Sequence, residues 1–179
     1  MNKRGSIKIG IFGGLFDPPH IGHRIIAQWV LEEYDLNKII FIPAANPPHK
    51  AKYSPYHIRY EMAVLAIKGN KKFFISNIEK QISGKTYTVE VIRELKKKIK
   101  GKLYLIIGSD QWREIETWKD PAQLFHECKI IVMPRPNYEI KKSSPFYKKI
   151  LISHSPLIDI SSTSIRERIK KNLGFQYYL

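Results

Sequence analysis

A single cysteine, Cys128, stands in a chain of 179 residues. That excludes an internal disulfide and any zinc or iron–sulfur site built from several thiolates. Flanked by Glu127 and Lys129, the thiol reads as a small, semi-buried hydrophobe. Long apolar runs are missing as well. The longest are bursts such as Leu103 to Ile107, far short of the roughly 20 residues a membrane-spanning helix needs. The basic start (Lys3, Arg4) followed by an apolar stretch has the outline of an export signal. Lys8 interrupts that stretch, however, Asp17-Pro18-Pro19 follows it, and no small-residue cleavage site is present. The expectation is a reducing, cytoplasmic setting without membrane association. Internal repeats, low-complexity tracts and convincing linkers are also lacking, so residues 1–179 are expected to form one domain.

Acidic residues are scarce: 16 Asp plus Glu against 31 Lys plus Arg give a net charge of +15. Such an excess draws polyanions, which leaves nucleic acid, acidic membrane and phosphorylated small molecules open. Only eight of the cations are arginine, whereas base-edge readout favours the arginine fork. The lysine pairs and triplets are scattered (71–72, 96–98, 141–142, 148–149, 170–171) and read mainly as solvated surface. With 43% hydrophobic residues, the chain is too apolar for disorder.

What is present is an alternation of strand and helix signals. Ser6 to Phe12 reads as a strand running into Gly13-Gly14, and His20 to Leu36 as a helix with Ile25, Trp29 and Leu36 at helical spacing and Glu32-Glu33 turned outward. Lys38 to Pro43 is nearly continuous in apolar residues, the mark of a parallel strand covered on both faces. A Pro-rich loop then leads to a helix through Met62, Leu65 and Ala66. A short strand at 73–76 precedes a helix over 88–99, with Val89, Ile92 and Leu95 inward. Leu103 to Ile107, Ile130 to Met133 and Leu157 to Ile160 are the remaining strands, before a last helix over about 163–171. This rhythm predicts a Rossmann-like, doubly wound α/β fold: a mostly parallel sheet with helices on both faces. Ligands of such sheets sit beyond the carboxyl ends of the strands, where the strand order reverses.

Two segments at such ends carry chemistry. The first, GGLFDPPHIGH from Gly13 to His23, lacks the G-x-G-x-x-G dinucleotide fingerprint. Its paired glycines let backbone approach a ligand, and the helix starting near His20 aims free N–H groups and its positive end at the same space. His20 and His23 share a helical face, with Gly22 removing bulk beside them. Two imidazoles there can donate to phosphate oxygens; as a metal pair they lack a third ligand nearby. The second, ISSTSIRER from Ile160 to Arg168, sets four hydroxyls before Arg166, more than an N-cap requires. Arg166 can grip phosphate bidentately.

G-G-x-F-D-P-P-H-x-G-H together with I-S-S-T-x-I-R resembles the nucleotidylyltransferase superfamily over about residues 7–171. Asn46 to Lys50 (NPPHK), Thr86-Tyr87-Thr88, Gly108-Ser109-Asp110, Thr117-Trp118-Lys119 and Arg135-Pro136 place the resemblance with its bacterial nicotinate-nucleotide adenylyltransferase branch. The resemblance implies adenylyl transfer from ATP to nicotinate mononucleotide, with Mg2+ arriving on ATP, no nucleic-acid partner, and compatibility with a homodimer. It assigns catalysis to His20, His23 and Arg166. ATP binding falls to Gly13, Gly14, Phe16, Asp17, Gly22, Gly108, Asp110, Arg135, Ser161, Ser162 and Thr163. Binding of the mononucleotide falls to Asn46, Lys50, Thr88 and Trp118, with Lys50 near its phosphate. Leu15 stands where the family commonly has Thr or Ser, and Asn137 where Gly is usual, although Asn also tolerates a left-handed backbone. Phosphopantetheine adenylyltransferase shares both signatures but not the middle segments. A nicotinamide-preferring enzyme and a polynucleotide-binding Rossmann module are the remaining alternatives.

Overall fold

The computed structural model describes residues 6–47 and 53–179; Lys50 lies outside them. Six strands, β1 (Lys8–Gly14), β2 (Lys38–Pro43), β3 (Phe73–Ile75), β4 (Lys102–Gly108), β5 (Lys129–Met133) and β6 (Ile150–Ile152), form one sheet in the order β3-β2-β1-β4-β5-β6. Every pairing is parallel. This is the doubly wound order, which reverses between β1 and β4. The helices are α1 (Ile21–Glu33), α2 (Tyr56–Ile67), α3 (Thr88–Lys98), α4 (Ser109–Arg113), α5 (Pro121–Glu127) and α6 (Ser162–Lys170).

Successive strand side chains point to opposite faces, and both faces are covered. Ile9, Ile11, Ile40, Ile42, Leu103, Leu105, Ile107, Ile130 and Val132 pack in one layer with Val89, Ile92 and Leu95 of α3 and Leu124 of α5. Phe12, Ile39, Phe41, Tyr104, Ile106 and Ile131 pack in the other with Ala27, Val30 and Leu31 of α1 and Ala63 and Ile67 of α2. Cys128 is buried in the first layer, and burial pushes its thiol up to about 12. Among the described residues, no helix is long and apolar enough to cross a membrane.

Four expectations are corrected. α1 buries Gly22, Ala27, Val30 and Leu31, whereas Ile25 and Trp29 are exposed; its apolar residues run nearly all round, so spacing does not select a face. Glu33 turns inward. Its carboxylate accepts from Ser153 Oγ (2.6 Å) and the His154 backbone N–H (2.9 Å), tying α1 to the end of β6. On α2, the inward face is Arg59, Ala63 and Ile67, and Leu65 is exposed. The last strand is Ile150–Ile152, not Leu157 to Ile160. Pro156 and Asp159 interrupt that segment, Leu157 is exposed, and three ladder residues after a lysine pair are too few to show a period.

Candidate active site

The first signature segment occupies the reversal point. Gly13 and Gly14 end β1, and an added Cβ at Gly13 would meet nothing within 4 Å, so the backbone there faces open space. Phe16 adopts a left-handed backbone (φ 51°) and turns its ring into the core, edge-on to Phe12 (6.0 Å, 88°) and to the His23 imidazole (5.1 Å, 70°). It therefore supports His23 from below.

His20 is the N-cap of α1, and His23 is its N3 residue. The His23 N–H donates to His20 O (2.9 Å), while the His20 backbone N–H donates to His23 Nδ1 (3.1 Å). Because Nδ1 is the acceptor, the proton of a neutral His23 sits on Nε2, leaving that atom as a donor. The two rings lie 3.8 Å apart, centroid to centroid. Burial, reinforced by the Arg135 guanidinium, lowers His20 to about 4. Burial, then the His20 and Arg135 charges, holds His23 well below the ordinary imidazole range. Both are neutral donors at pH 7 until an anion arrives. Gly22 leaves little room beside them: a Cβ would lie 3.0 Å from His20 Nδ1 and 3.3 Å from Ile158 Cγ2, so those side chains would have to give way by a few tenths of an ångström.

The second signature is latched onto the first. Ser161 caps α6, its Oγ accepting from the Ser164 N–H (3.0 Å) while its N–H donates to Ser164 Oγ (3.3 Å). Ser162 Oγ donates to Pro18 O (2.8 Å). Arg166 donates through Nη1 to Asp17 O (2.6 Å) and through Nη2 to Thr163 Oγ1 (3.1 Å). The four hydroxyls thus serve the cap, the latch and the orientation of Arg166.

The ends of β4 and β5 supply the third wall. Arg135 Nε lies 3.3 Å from Asp110 Oδ1, and the Arg135 N–H donates to Ser109 Oγ (3.0 Å). This pair rests on the Gly108 main chain, where an added Cβ would collide with Asp110 Oδ1 and come within 2.7 Å of Arg135 Nε. Asn137 has φ 66°, the left-handed backbone for which Asn substitutes for Gly.

The remaining predicted residues gather around the start of α3. Asn46 Nδ2 donates to Gly84 O (3.2 Å), and Asn46 O accepts from the Thr86 N–H (3.5 Å). Thr88 is the first residue of α3, whose N-terminus no side chain caps among the described residues. Trp118 is half-buried against the core, and its neighbour Lys119 reaches Glu90 in the first turn of α3 (2.6 Å), passing over the Tyr87 ring (4.5 Å).

Two residues were not foreseen. Glu79, on a short 3-10 turn (Ile78–Gln81), accepts on Oε2 from the Ala45 N–H (2.9 Å) and Thr86 Oγ1 (2.8 Å), pinning the loop after β2 to the loop before α3. Burial raises its carboxyl. Arg59 is wholly buried on α2. Glutamate and arginine amid lysine-rich sequence carry no signal of burial, although an arginine where α2 should turn inward was a hint. Among the described residues, no group of three or more His, Cys, Asp and Glu side chains could hold a metal ion.

Comparisons with known proteins concern the family and the fold. The cytidylyltransferase-like family model matches residues 11–168. A Thermus thermophilus protein named "Probable nicotinate-nucleotide adenylyltransferase" is 34% identical over 97% of this chain and 92% of its own length. A Clostridium tetani protein of the same name is 42% identical over 92% of this chain and 88% of its own. In fold, the chain is similar to Plasmodium falciparum nicotinic acid mononucleotide adenylyltransferase complexed with NaAD, at a TM-score of 0.80 and 22% identity, over 97% of this chain and 90% of that one. With its histidine pair and its hydroxyl–arginine helix joined at one crevice, the chain belongs to the cytidylyltransferase-like family.

Proposed function

We propose that this chain transfers the adenylyl group of ATP to nicotinate mononucleotide, yielding nicotinate adenine dinucleotide and pyrophosphate, a cytoplasmic step of NAD biosynthesis. A 5′-phosphate oxygen of the mononucleotide attacks the α-phosphorus of ATP. The bond from that phosphorus to the α–β bridging oxygen breaks, and pyrophosphate leaves with the electron pair. The attacking phosphate is already anionic at neutral pH, so the site needs no general base; positioning and charge neutralisation suffice.

His20 and His23 donate to the ATP phosphates and take on positive character as charge develops there. Arg166 holds the β/γ end, with Ser161, Ser162 and Thr163 supporting it. Gly13, Gly14, Phe16, Asp17 and Gly22 shape the floor beneath. Gly108 admits the Asp110–Arg135 pair, in which Asp110 accepts from a ribose hydroxyl and Arg135 flanks the nucleotide. Asn46 and Lys50 hold the mononucleotide, Trp118 stacks on its pyridine ring, and the α3 amides at Thr88 receive the nicotinate carboxylate. Magnesium would arrive on ATP and would supply charge neutralisation while keeping several waters, with His20, His23 and Arg166 facing the phosphate oxygens it leaves free.

The observation that carries this reading is the double latch of α6 onto the first signature loop, Arg166 to Asp17 O and Ser162 to Pro18 O. It converts two segments distant in sequence into one anion-binding crevice. The test is pyrophosphate release with ATP, magnesium and, in parallel, nicotinate mononucleotide, nicotinamide mononucleotide and phosphopantetheine. Release with the first alone is expected. Release only with another acceptor would overturn the assignment of Thr88 and Trp118, and no release with any would favour a non-catalytic polyanion binder.

A further inference from the structure

Arg59 carries a full charge, yet it is 0% exposed. Nε donates to Ser54 O (2.8 Å) and Nη1 to Leu15 O (2.8 Å). The guanidinium lies over the rings of Tyr53 (5.0 Å) and Tyr56 (5.7 Å), and Nη2 has no hydrogen-bond partner among the described residues. Burying a cation this way is costly, and a plain apolar residue would fill the same core position on α2 without the cost. What only a planar fork supplies is a fixed separation between two carbonyls. Those carbonyls belong to different loops. Leu15 lies in the turn below the phosphate-facing glycines, and Ser54 lies at the end of the segment that leaves β2 through Asn46. The circuit closes on itself: the Ser54 N–H donates to Asp17 Oδ2 (3.1 Å), and Asp17 O accepts from Arg166 Nη1 (2.6 Å).

We infer that Arg59 is a positioning residue that sets Ser54, at the entry to α2, against the phosphate-side turn, and so contributes to the acceptor's place relative to ATP. The two loops are not equally dependent on it. The phosphate-side turn has independent anchors in β1, Ser162 and Arg166. Glu79 and Gly84 hold the Asn46 end of the other loop, whereas among the described residues its Ser54 end is held by Arg59 and Asp17, so losing the fork displaces that end first. This assignment rests on the substrate reading above.

The test is Arg59→Lys, which keeps the charge but cannot span both carbonyls. The Michaelis constant for the mononucleotide is expected to rise about tenfold, with that for ATP within about twofold. Amide exchange should speed up at Ser54 and not in α3. Ala63→Gly, on the inward face of the same helix, is the stability control: it should lower Tm with both Michaelis constants unchanged. Should Arg59→Lys fail to fold, Ser54→Pro removes the N–H that donates to Asp17 Oδ2 and should give the same acceptor-weighted split. Equal loss for both substrates, or a lower Tm with unchanged Michaelis constants and unchanged exchange at Ser54, would overturn the inference. If the wild type prefers a different acceptor, the substrate reading fails, but the same split measured with that acceptor still decides the role of Arg59.

Discussion

The two halves of the crevice are built differently. On the proposed ATP side, two short signature strings meet: His20 and His23 cap the same helix, and Arg166 and Ser162 tie one signature loop to the other. On the proposed acceptor side, Asn46, Thr88 and Trp118 come from three separate segments, brought together by Glu79 and by the Lys119–Glu90 pair. In the proposed function the first half is a preorganised electrostatic device, and the second is an assembly of loops whose geometry depends on residues given no substrate contact, such as Glu79 and Glu90. Catalytic rate should therefore live in the first and acceptor recognition in the second.

The sharpest way to break this contrast is His23→Ala. Loss of a donor aimed at developing charge should lower kcat about 10²- to 10³-fold with a smaller change in either Michaelis constant, as read from initial rates of pyrophosphate release. A fall confined to substrate binding would erase the distinction.

Next in size is the dependence of stability on pH. His20 is lowered by burial and Arg135 to about 4, against about 6.5 in the unfolded chain. Between those values the unfolded state binds more protons, so stability is complete above about pH 6.5 and is lost as pH falls toward 4, by up to about 3 kcal/mol from this group. Tm measured from pH 7.5 down to 4.5 should fall accordingly, and His20→Asn should flatten the curve. A bound polyphosphate raises both imidazoles again. ATP binding at pH 5.5 should therefore take up protons, which calorimetry in two buffers of different ionisation enthalpy detects.

Trp118→Ala tests the other half. Loss of ring stacking, worth about 1.4 kcal/mol, should raise the Michaelis constant for the mononucleotide about tenfold and leave kcat within about threefold. Smallest is Glu90→Gln: its ion pair with Lys119 is partly exposed, so Tm should stay within about 2 °C and the acceptor's Michaelis constant within about twofold. A large effect there would mean that Lys119 does more than steady the Trp118 loop.

Legibility in the sequence followed the same division. Near-continuous apolar runs such as Lys38 to Pro43 and Leu103 to Ile107 reveal central parallel strands, because only a sheet covered on both faces tolerates them. His20, His23 and Arg166 were legible because each helix start packs its chemistry into one contiguous string. The three-residue β6 was not, since it has no period to display, and α1 hid its inward face behind apolar residues on every side. Arg59 and Glu79 escaped because their roles arise from loops that meet only in three dimensions. Beyond the placement of Arg59 on the inward side of α2, the local pattern does not mark a charged residue whose partners are the backbone groups of Leu15 and Ala45.

The most direct test of the central claim follows one oxygen. Nicotinate mononucleotide carrying ¹⁸O in its phosphate is incubated with the protein, ATP and magnesium, and the products are weighed by mass spectrometry. Attack on the α-phosphorus predicts that all of the label stays in the dinucleotide and that the pyrophosphate is unlabelled. Formation of ADP, or label in the released phosphate product, would contradict it.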